Sequence, residues 1–129
     1  MAERLLKRKV NPDAFISSPA KRARKTAEAF AKTYGEGKKA VLLKEQLYGA
    51  GDSEFADLIS SLPEEYSTVA IFSHNPGITE FANTLTSTRV DNIPTAGIFA
   101  VQAEIDNWKE FPTAKWIFWF FDFPKNETD

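Results

Sequence analysis

His74 is the single histidine of the chain, and it lies where a predicted strand meets a predicted helix. The run 68–72 is short, apolar and rich in β-branched residues, as expected of a strand that is covered on both faces. Asn75 is predicted to cap the helix that follows, and Pro76 to be its first residue. His74 would therefore lie beside a helix N-terminus at the carboxyl end of a buried strand, a place that favours anionic ligands. The alternative is an ordinary helix cap with a histidine beside it.

Arg22 is the second residue whose position suggests anion chemistry. Ser18 is predicted to be the N-cap of a helix and Pro19 its first residue, so Arg22 falls in the first turn. Because the helix dipole disfavours a cation there, the pattern predicts an anionic partner near this helix end. The alternative is that the guanidinium points into water.

The loop 91–97 holds a third candidate. Thr95 can place a hydroxyl beside a ligand, and Gly97 allows backbone amides to approach closely. Taken by itself, the loop is also explained by a plain turn.

The composition limits the kind of protein. With 129 residues, 43% of them hydrophobic, residues 1–129 are predicted to form one domain with a single core. The absence of cysteine excludes disulfides and Cys-based zinc sites, and one histidine argues against a His-rich metal site. No run is long enough to span a bilayer and the N-terminus has no signal-peptide pattern, so we expect a cytoplasmic protein without membrane contact.

Charge is divided unevenly along the chain. Residues 1–40 hold 11 Lys and Arg against four Asp and Glu, whereas residues 41–129 hold five against 14. A basic segment suits nucleic acid, a membrane surface or a phosphorylated ligand, but a solvated basic face is the favoured explanation for most of these residues. Nucleic-acid binding is disfavoured because Phe15, Phe30 and Tyr34 fall on predicted core positions instead of among the cations.

Helical and strand patterns alternate along the chain. Helices are predicted at 2–9, 19–34, 53–62 and 76–85, strands at 14–16, 38–44, 68–72, 98–103 and 115–121, and a polar tail at 126–129. Asp52 or Ser53 is the predicted cap of the third helix. This order predicts a three-layer α/β/α sandwich with a mostly parallel central sheet. The last strand is apolar on both faces, so both should be covered. The loops after Ile16 and Phe72 should converge and bring Arg22 toward His74.

Four ordered motifs span most of the chain. They are Ser18-Pro19-x-x-Arg22-Ala23-x-x-Thr26, Leu47-Tyr48-Gly49-Ala50, Ser73-His74-Asn75-Pro76-Gly77 and Asn92-Ile93-Pro94-Thr95-Ala96-Gly97. In this order and spacing they resemble the histidine phosphatase superfamily, whose fold is phosphoglycerate mutase-like. The resemblance is closest to its small SixA-type phosphohistidine phosphatase branch.

This resemblance implies a phosphate pocket of two arginines and two histidines at the carboxyl ends of parallel strands. It implies catalytic roles for Arg22, which would hold phosphate oxygens, and for His74, which would flank the transferring phosphoryl group. Asn75 and Thr95 complete the predicted phosphate-binding set. The implied reaction removes phosphate from a phosphohistidine protein or a small phosphoester through a phosphohistidine intermediate, with no metal or organic cofactor. A guanidinium fork suits phosphate, and phosphoryl transfer depends on charge stabilisation and in-line positioning.

The chain departs from the family pattern at its N-terminus. In the family, an Arg-His motif that ends the first strand supplies the nucleophile, and no such motif precedes Ser18. The chain is therefore expected to be N-terminally truncated relative to the family and inactive as given. The missing strand should lie next to the strands that end at Ile16 and Phe72. Its absence would leave a slot that self-association, a partner or a rearranged segment fills.

Two other hypotheses keep the same residues. In one, the chain is a catalytically inactive module that retains Arg22 and His74 as a clamp for phosphate or phosphohistidine. In the other, His74 is itself the nucleophile, because of its place at the strand end.

Overall fold

Helices and strands alternate along residues 1–125, the part of the chain that the computed structural model describes. The polar tail predicted at 126–129 lies outside the described residues. The α-helices are α1 (Ala2–Lys7), α2 (Lys21–Thr33), α3 (Asp52–Ser60) and α4 (Gly77–Leu85). The strands are β1 (Ala14–Ser17), β2 (Val41–Leu43), β3 (Val69–Phe72), β4 (Ile98–Gln102) and β5 (Ile117–Asp122). Short 3-10 turns occupy Lys38–Ala40, Glu45–Leu47 and Trp108–Glu110.

The first three strands form a parallel sheet in the order β2-β1-β3. Ala14 is paired with Val69 and Ser17 with Phe72, so β1 and β3 end at the same edge of the sheet. This pairing confirms that the loops following these two strands converge. β4 and β5 form a separate antiparallel pair with a bulge between Ala100 and Val101.

Alternate residues of the sheet face two different helix layers. Ile16 and Ile71 pack in one core cluster with α3 and α4. Phe15 and Phe72, one position away on the same strands, pack in a second cluster with α1 and α2. Because strand side chains alternate between faces, this division places the sheet between the two pairs of helices. The predicted three-layer α/β/α sandwich is confirmed.

Two predicted helix caps are wrong. Ser18 does not cap α2, which begins after Ala20, because the Ser18 amide still donates to Phe72 O at 2.9 Å and continues the sheet. Asn75 does not cap α4, which begins after Pro76, because its Oδ1 accepts from Thr79 Oγ1 while its Nδ2 donates to Asn92 and Ile93. Tertiary hydrogen bonds therefore decide both helix starts.

Two other helix ends differ from the prediction. α1 ends at Lys7 instead of Lys9, since Lys9 adopts a left-handed conformation with φ of 62°. The N-cap of α3 is Gly51, whose amide donates to Glu54 Oε1 at 2.7 Å, so Asp52 lies inside the helix. A carboxylate one turn into the helix thus replaces the expected cap.

β5 is covered on one face only. Ile117 and Trp119 are 54% and 41% exposed, whereas Phe120 and Asp122 are buried. The prediction that both faces are covered is wrong because a helix layer packs against the Phe120 face alone in the described residues.

A cavity of about 820 Å³ separates the two sheets, and every residue of β3 and β4 lines it. We call this cavity the slot. The missing strand was predicted to lie next to the strands that end at Ile16 and Phe72. The prediction is wrong for the first of these, β1, because β1 is paired on both of its edges. The slot is bordered by β3 and β4 instead.

Candidate functional site

The candidate site lies where β1 and β3 end. Ser17 is the last residue of β1 and Ser18 follows it, and both are fully buried. Ser17 Oγ donates to Ser18 O at 2.7 Å, and Ser18 Oγ accepts from the Ala20 amide at 3.2 Å. These bonds fix the turn that leads from β1 into α2. Ser17 and Ser18 therefore shape the backbone beneath the site.

Arg22 is exposed in the first turn of α2, as its sequence position predicted. The first turn contains no acidic residue, and Arg22 is in neither of the ion pairs found among residues 1–125. Its backbone is fixed through Thr26, whose Oγ1 donates to Arg22 O at 3.0 Å. The guanidinium and the amide groups of the helix N-terminus thus present positive charge on the same side.

His74 follows β3 directly and is half-buried. Its carbonyl accepts from the Ile78 amide at 3.1 Å, which ties it to the start of α4. Its ring lies 6.0 Å from the ring of Tyr48 in an edge-to-face arrangement of 74°. The backbone of His74 is therefore tied to the start of α4, and its ring lies against that of Tyr48.

Tyr48 is a site residue that the sequence reasoning did not single out. It is 66% exposed although its ring contacts His74. Tyr48 could have been identified from the sequence by its place in the motif Leu47-Tyr48-Gly49-Ala50, because no helical or strand pattern explains these residues. Ser73 Oγ donates to Leu47 O at 3.4 Å, which fastens this loop to the end of β3.

Asn75 lies beside His74, but its side chain is already occupied. Its Nδ2 donates to Asn92 Oδ1 and to Ile93 O, each at 2.9 Å, and its Oδ1 accepts from Thr79 Oγ1. Thr79 Oγ1 in turn accepts from the Ile93 amide at 3.0 Å. The side chain of Asn75 therefore joins two loops of the site.

The loop that contains Thr95 forms a tight turn over the mouth of the slot. The Gly97 amide donates to Pro94 O at 2.8 Å, and Ala96 is left-handed with φ of 62°. Thr95 is exposed at the tip. A side chain at Gly97 would approach Pro94 O to 2.9 Å, so this position needs glycine.

The four predicted site residues, Arg22, His74, Asn75 and Thr95, all line the slot. Most of the remaining lining is apolar, and its other charged side chain is Asp106. Arg22 follows β1 at the site end, whereas Asp106 follows β4 at the far end. The site end therefore carries positive charge within apolar walls, where electrostatic attraction to an anion is stronger than in bulk water.

The described residues contain neither a cluster of side chains suited to holding a metal ion nor a helix long and apolar enough to cross a membrane.

Comparisons with known proteins agree with this geometry. The family model for the histidine phosphatase superfamily (branch 1) matches residues 1–89, a range that includes Arg22 and His74 but not Thr95. No curated protein matches the sequence.

Two solved structures share the fold. A candidate phosphohistidine phosphatase SixA from Nakamurella multipartitia is 17% identical, with a TM-score of 0.76 over 97% of this chain and 78% of that chain. A candidate phosphohistidine phosphatase SixA from Agrobacterium tumefaciens is 22% identical, with a TM-score of 0.74 over 95% of this chain and 75% of that chain. The phosphoglycerate mutase-like fold predicted from the motifs is confirmed.

Proposed function

The chain belongs to the histidine phosphatase superfamily, and from that premise we propose that residues 1–129 are a single domain that forms most of a SixA-like phosphohistidine phosphatase. Its substrate would be a phosphohistidine protein or a small phosphoester. The full-length form would hydrolyse it through a phosphohistidine intermediate.

One observation carries this proposal: Arg22 and His74, from separate parts of the chain, line the same end of one cavity. Two parallel strands, β1 and β3, bring them to that edge of the sheet. Phosphate recognition needs such a convergence of donors, because its charge is spread over several oxygens.

Each residue has a role in the proposed reaction. Arg22 donates two hydrogen bonds to phosphate oxygens and offsets the charge of the transferring group. His74 flanks that group and donates a ring N–H to it. Thr95 adds a hydroxyl from the opposite loop. We assign the nucleophilic histidine to a part of the full-length form other than residues 1–129, since their one histidine already has the flanking role.

Phosphate binding is the first test, because it does not require turnover. Arg22→Ala should weaken the binding of inorganic phosphate to residues 1–129 by about tenfold or more, since a hydrogen bond to a charged group contributes roughly 1.5–3 kcal/mol. Lys21→Ala is the matched control, because Lys21 is exposed in the same helical turn but does not line the slot. Equal losses in the two variants, measured by calorimetry, would show that only general positive charge matters.

Turnover separates the phosphatase from the inactive binding module. We expect the natural full-length protein to release phosphate from a phosphohistidine peptide, and residues 1–129 alone to bind phosphate without releasing it. Phosphate binding without turnover in the natural protein would establish the inactive module. A phosphorylated form of residues 1–129 that disappears in His74→Ala would instead identify His74 as the nucleophile.

A further inference from the structure

The strand β2 is an open edge of the parallel sheet. Among residues 1–125 it pairs with β1 alone. The Lys44 amide donates to Ser17 O at 2.9 Å, which directs the amide of Lys44 toward β1. Because the direction of hydrogen bonding alternates along a strand, the N–H and C=O of Leu43 point toward the open edge. Leu43 therefore offers a donor and an acceptor to an added strand.

The side chains exposed on β2 are apolar. Leu42 and Leu43 are 38% and 48% exposed. They lie on opposite faces of the sheet, since strand side chains alternate. An open apolar edge is a template for pairing with another chain. An added strand would therefore pair with the backbone and also shield a leucine on each face.

Positive charge surrounds this edge. Residues 18–48, which run from the end of β1 to the loop after β2, hold eight Lys and Arg against three Glu, a net charge of +5. All of these cations except Arg24 are exposed, and none is in either of the ion pairs found among residues 1–125. Lys38 and Lys39 lie just before β2, and Lys44 follows it. The edge therefore complements an acidic segment.

The same lysines disfavour a second copy of this chain as the occupant. Two copies of β2 paired antiparallel would bring Lys38 and Lys39 of one copy near Lys44 of the other, where like charges repel. Nucleic acid is disfavoured because bases stack on aromatic rings, whereas the side chains exposed on β2 are leucines. An acidic polypeptide strand satisfies the charges, the leucines and the backbone groups together.

A second open edge, that of β5, has the opposite balance of charge. In the described part of the chain β5 pairs with β4 alone. Residues 98–125 hold three Lys against four Asp and Glu. An acidic segment should therefore select β2.

The open edge leads to the candidate site. Ser17 is aligned with Leu43 on one side and with Phe72 on the other, so β2 ends level with β3, which His74 follows. A strand added beyond β2 would lie three strand spacings from β3, or about 14 Å. About four or five extended residues span that distance. A segment bound along β2 can thus deliver a phosphorylated residue to His74.

We propose that the open edge of β2 is a docking site for an acidic, extended segment of the phosphorylated protein on which the site acts. The segment adds a strand to the sheet, and its carboxylates lie near Lys38, Lys39 and Lys44. The phosphorylated residue is about four or five residues from the paired part. The identity of the partner as the substrate rests on the proposed function, and of the two substrate classes named there the edge selects a protein.

An unphosphorylated peptide tests docking separately from phosphate binding. The probe is the capped peptide Glu-Asp-Val-Thr-Val-Asp-Glu, which reads the same in both directions and so assumes no strand direction. Its titration into residues 1–129 should shift the Leu43 amide resonance and slow its hydrogen exchange in a saturable manner, with an affinity that falls as salt is added. An unchanged Leu43 amide would overturn the proposal, as would protection of β5 in place of β2.

Charge reversal beside β2 tests the role of the lysines. Lys39→Glu with Lys44→Glu should lower the affinity for the peptide by about tenfold or more. Lys109→Glu with Lys125→Glu is the control, because it changes the net charge equally at exposed lysines outside residues 18–48. Equal losses in the two double variants would show that only net charge matters and would contradict the proposal.

A methylated peptide tests strand pairing. In this version the central Thr and the Val before it carry N-methyl groups. One of any two consecutive N–H groups of a paired strand faces β2, so the affinity should be about fivefold lower or more. Equal affinity of the two peptides would show charge attraction without pairing and would refute the docking strand.

Two other occupants are separate outcomes of the same measurements. Sedimentation of the peptide-free protein as a dimer whose Leu43 amide is already protected would assign the edge to a second copy. An oligothymidylate that shifts the Leu43 amide and binds more tightly than the acidic peptide would assign it to nucleic acid. Either result would overturn the proposal.

Turnover by the natural full-length protein tests whether the docked partner is the substrate. One phosphohistidine peptide carries the acidic segment five residues away, and its counterpart carries Gly and Ser in place of that segment. The acidic segment should lower KM several-fold with kcat little changed, and Lys39→Glu with Lys44→Glu should abolish this difference. Equal KM values would refute the docking alone. Absence of turnover and of phosphate binding would instead refute the proposed function, and with it the identity of the partner.

Discussion

Asn75 shows how a single side chain can organise the site through bonds to its own chain. Its amide joins the end of β3 to the loop before β4 through bonds to Asn92, Ile93 and Thr79. The loop that carries Thr95 is therefore positioned by a residue on the opposite wall of the slot. We infer that the effect of Asn75 on phosphate binding is indirect.

Replacing Asn75 by alanine should therefore reduce stability. Asn75→Ala removes the partners of Ile93 O and Thr79, and we expect a loss of about 1–3 kcal/mol in the free energy of unfolding. Asn92→Ala is the control, because it removes a single exposed bond to the same amide and should cost less than about 1 kcal/mol. Urea denaturation measures both, and equal losses would contradict the joining role.

At Gly77, the backbone of α4 lies very close to the backbone of Ala50. A Cβ at this position would overlap Ala50 O, so the start of α4 and the loop 47–51 fit together only with glycine. We expect Gly77→Ala to destabilise the protein by about 1–3 kcal/mol and to displace Tyr48 from His74. The change in the Tyr48 and His74 ring signals can be followed by NMR.

Gly37→Ala is the matched control for this overlap. Nothing lies within 4 Å of a Cβ built at Gly37, and its φ is −85°. It should leave stability nearly unchanged. A Gly77→Ala variant as stable as Gly37→Ala would show that the approach of α4 to Ala50 is not tight in solution.

Among the helices, α3 depends on a carboxylate at its start. Glu54 accepts hydrogen bonds from the Gly51 amide and from Ser53 Oγ, and these bonds hold its pKa below the ordinary value of 4.5. A carboxyl whose pKa is lower in the folded state stabilises the fold above its ordinary pKa, and the contribution is lost as pH falls through the folded value. The start of α3 is therefore sensitive to acid.

The melting temperature of Glu54→Gln should accordingly lie below that of the natural sequence at neutral pH. The difference should shrink as pH falls below about 4.5, because protonated Glu54 then resembles glutamine. Glu65→Gln, at an exposed position outside this cap, is the control. A difference between Glu54→Gln and the natural sequence that stays constant from neutral to acidic pH would contradict the role of the charge.

The helix α1 is attached to β5 by a buried acid. Arg4 donates to Asp122 Oδ1 and to Phe123 O, each at 3.0 Å, and Arg8 lies 3.9 Å from Asp122 Oδ2. Asp122 is 6% exposed, so its charge is compensated inside the protein. These contacts hold α1 over one side of the slot, where Leu5 forms part of the lining.

Asp122→Asn should loosen this attachment. We expect a loss of about 1–3 kcal/mol in the free energy of unfolding, because hydrogen bonds to a charged group weaken when the charge is removed. Amide exchange in α1 should accelerate more than exchange in α3. Asp57→Asn, at an exposed position on α3, is the control, and equal exchange rates in the two variants would rule out this anchoring role.

On the scale of the whole molecule, the slot divides the middle layer into a parallel sheet and an antiparallel pair. The second core cluster extends across this division, since Phe15 of β1 and Phe120 of β5 both belong to it. The helices α1 and α2 therefore hold the two sheets together without hydrogen bonds between β3 and β4.

An apolar slot of this volume should bind a hydrophobic dye in the native state. We expect anilinonaphthalene sulfonate to gain fluorescence with folded residues 1–129. Ala70 and Ala100 line the slot, so the gain should fall in a double variant, Ala70→Leu with Ala100→Leu, that partly fills it. The filled variant should also unfold at higher urea concentration, because cavity volume costs stability. Ala29→Leu is the control, because Ala29 is exposed on α2 and does not line the slot. Dye binding that is unaffected by filling would locate the dye outside the slot.

The sequence by itself determined the order of elements and the residues of the candidate site. Residues 68–72 and the apolar stripes of the helices are local patterns, and local patterns suffice to predict strand, helix and layer. Arg22 and His74 could be singled out because their types and positions at strand and helix ends suit an anion. The motifs around them gave the family, which the family model confirms over residues 1–89.

Only the tertiary structure decided where the helices begin and which groups their predicted cap residues bond. Ser18 and Asn75 have the residue types of helix caps, yet the Ser18 amide continues the sheet by a bond to Phe72, and the side chain of Asn75 is bonded to Ile93. The borders of the slot likewise depend on which strands pair, and pairing is a relation between segments that no single segment encodes. Local periodicity can be read from the sequence alone. Hydrogen-bond partners, exposed faces and cavities depend on how segments that are distant in sequence pack together.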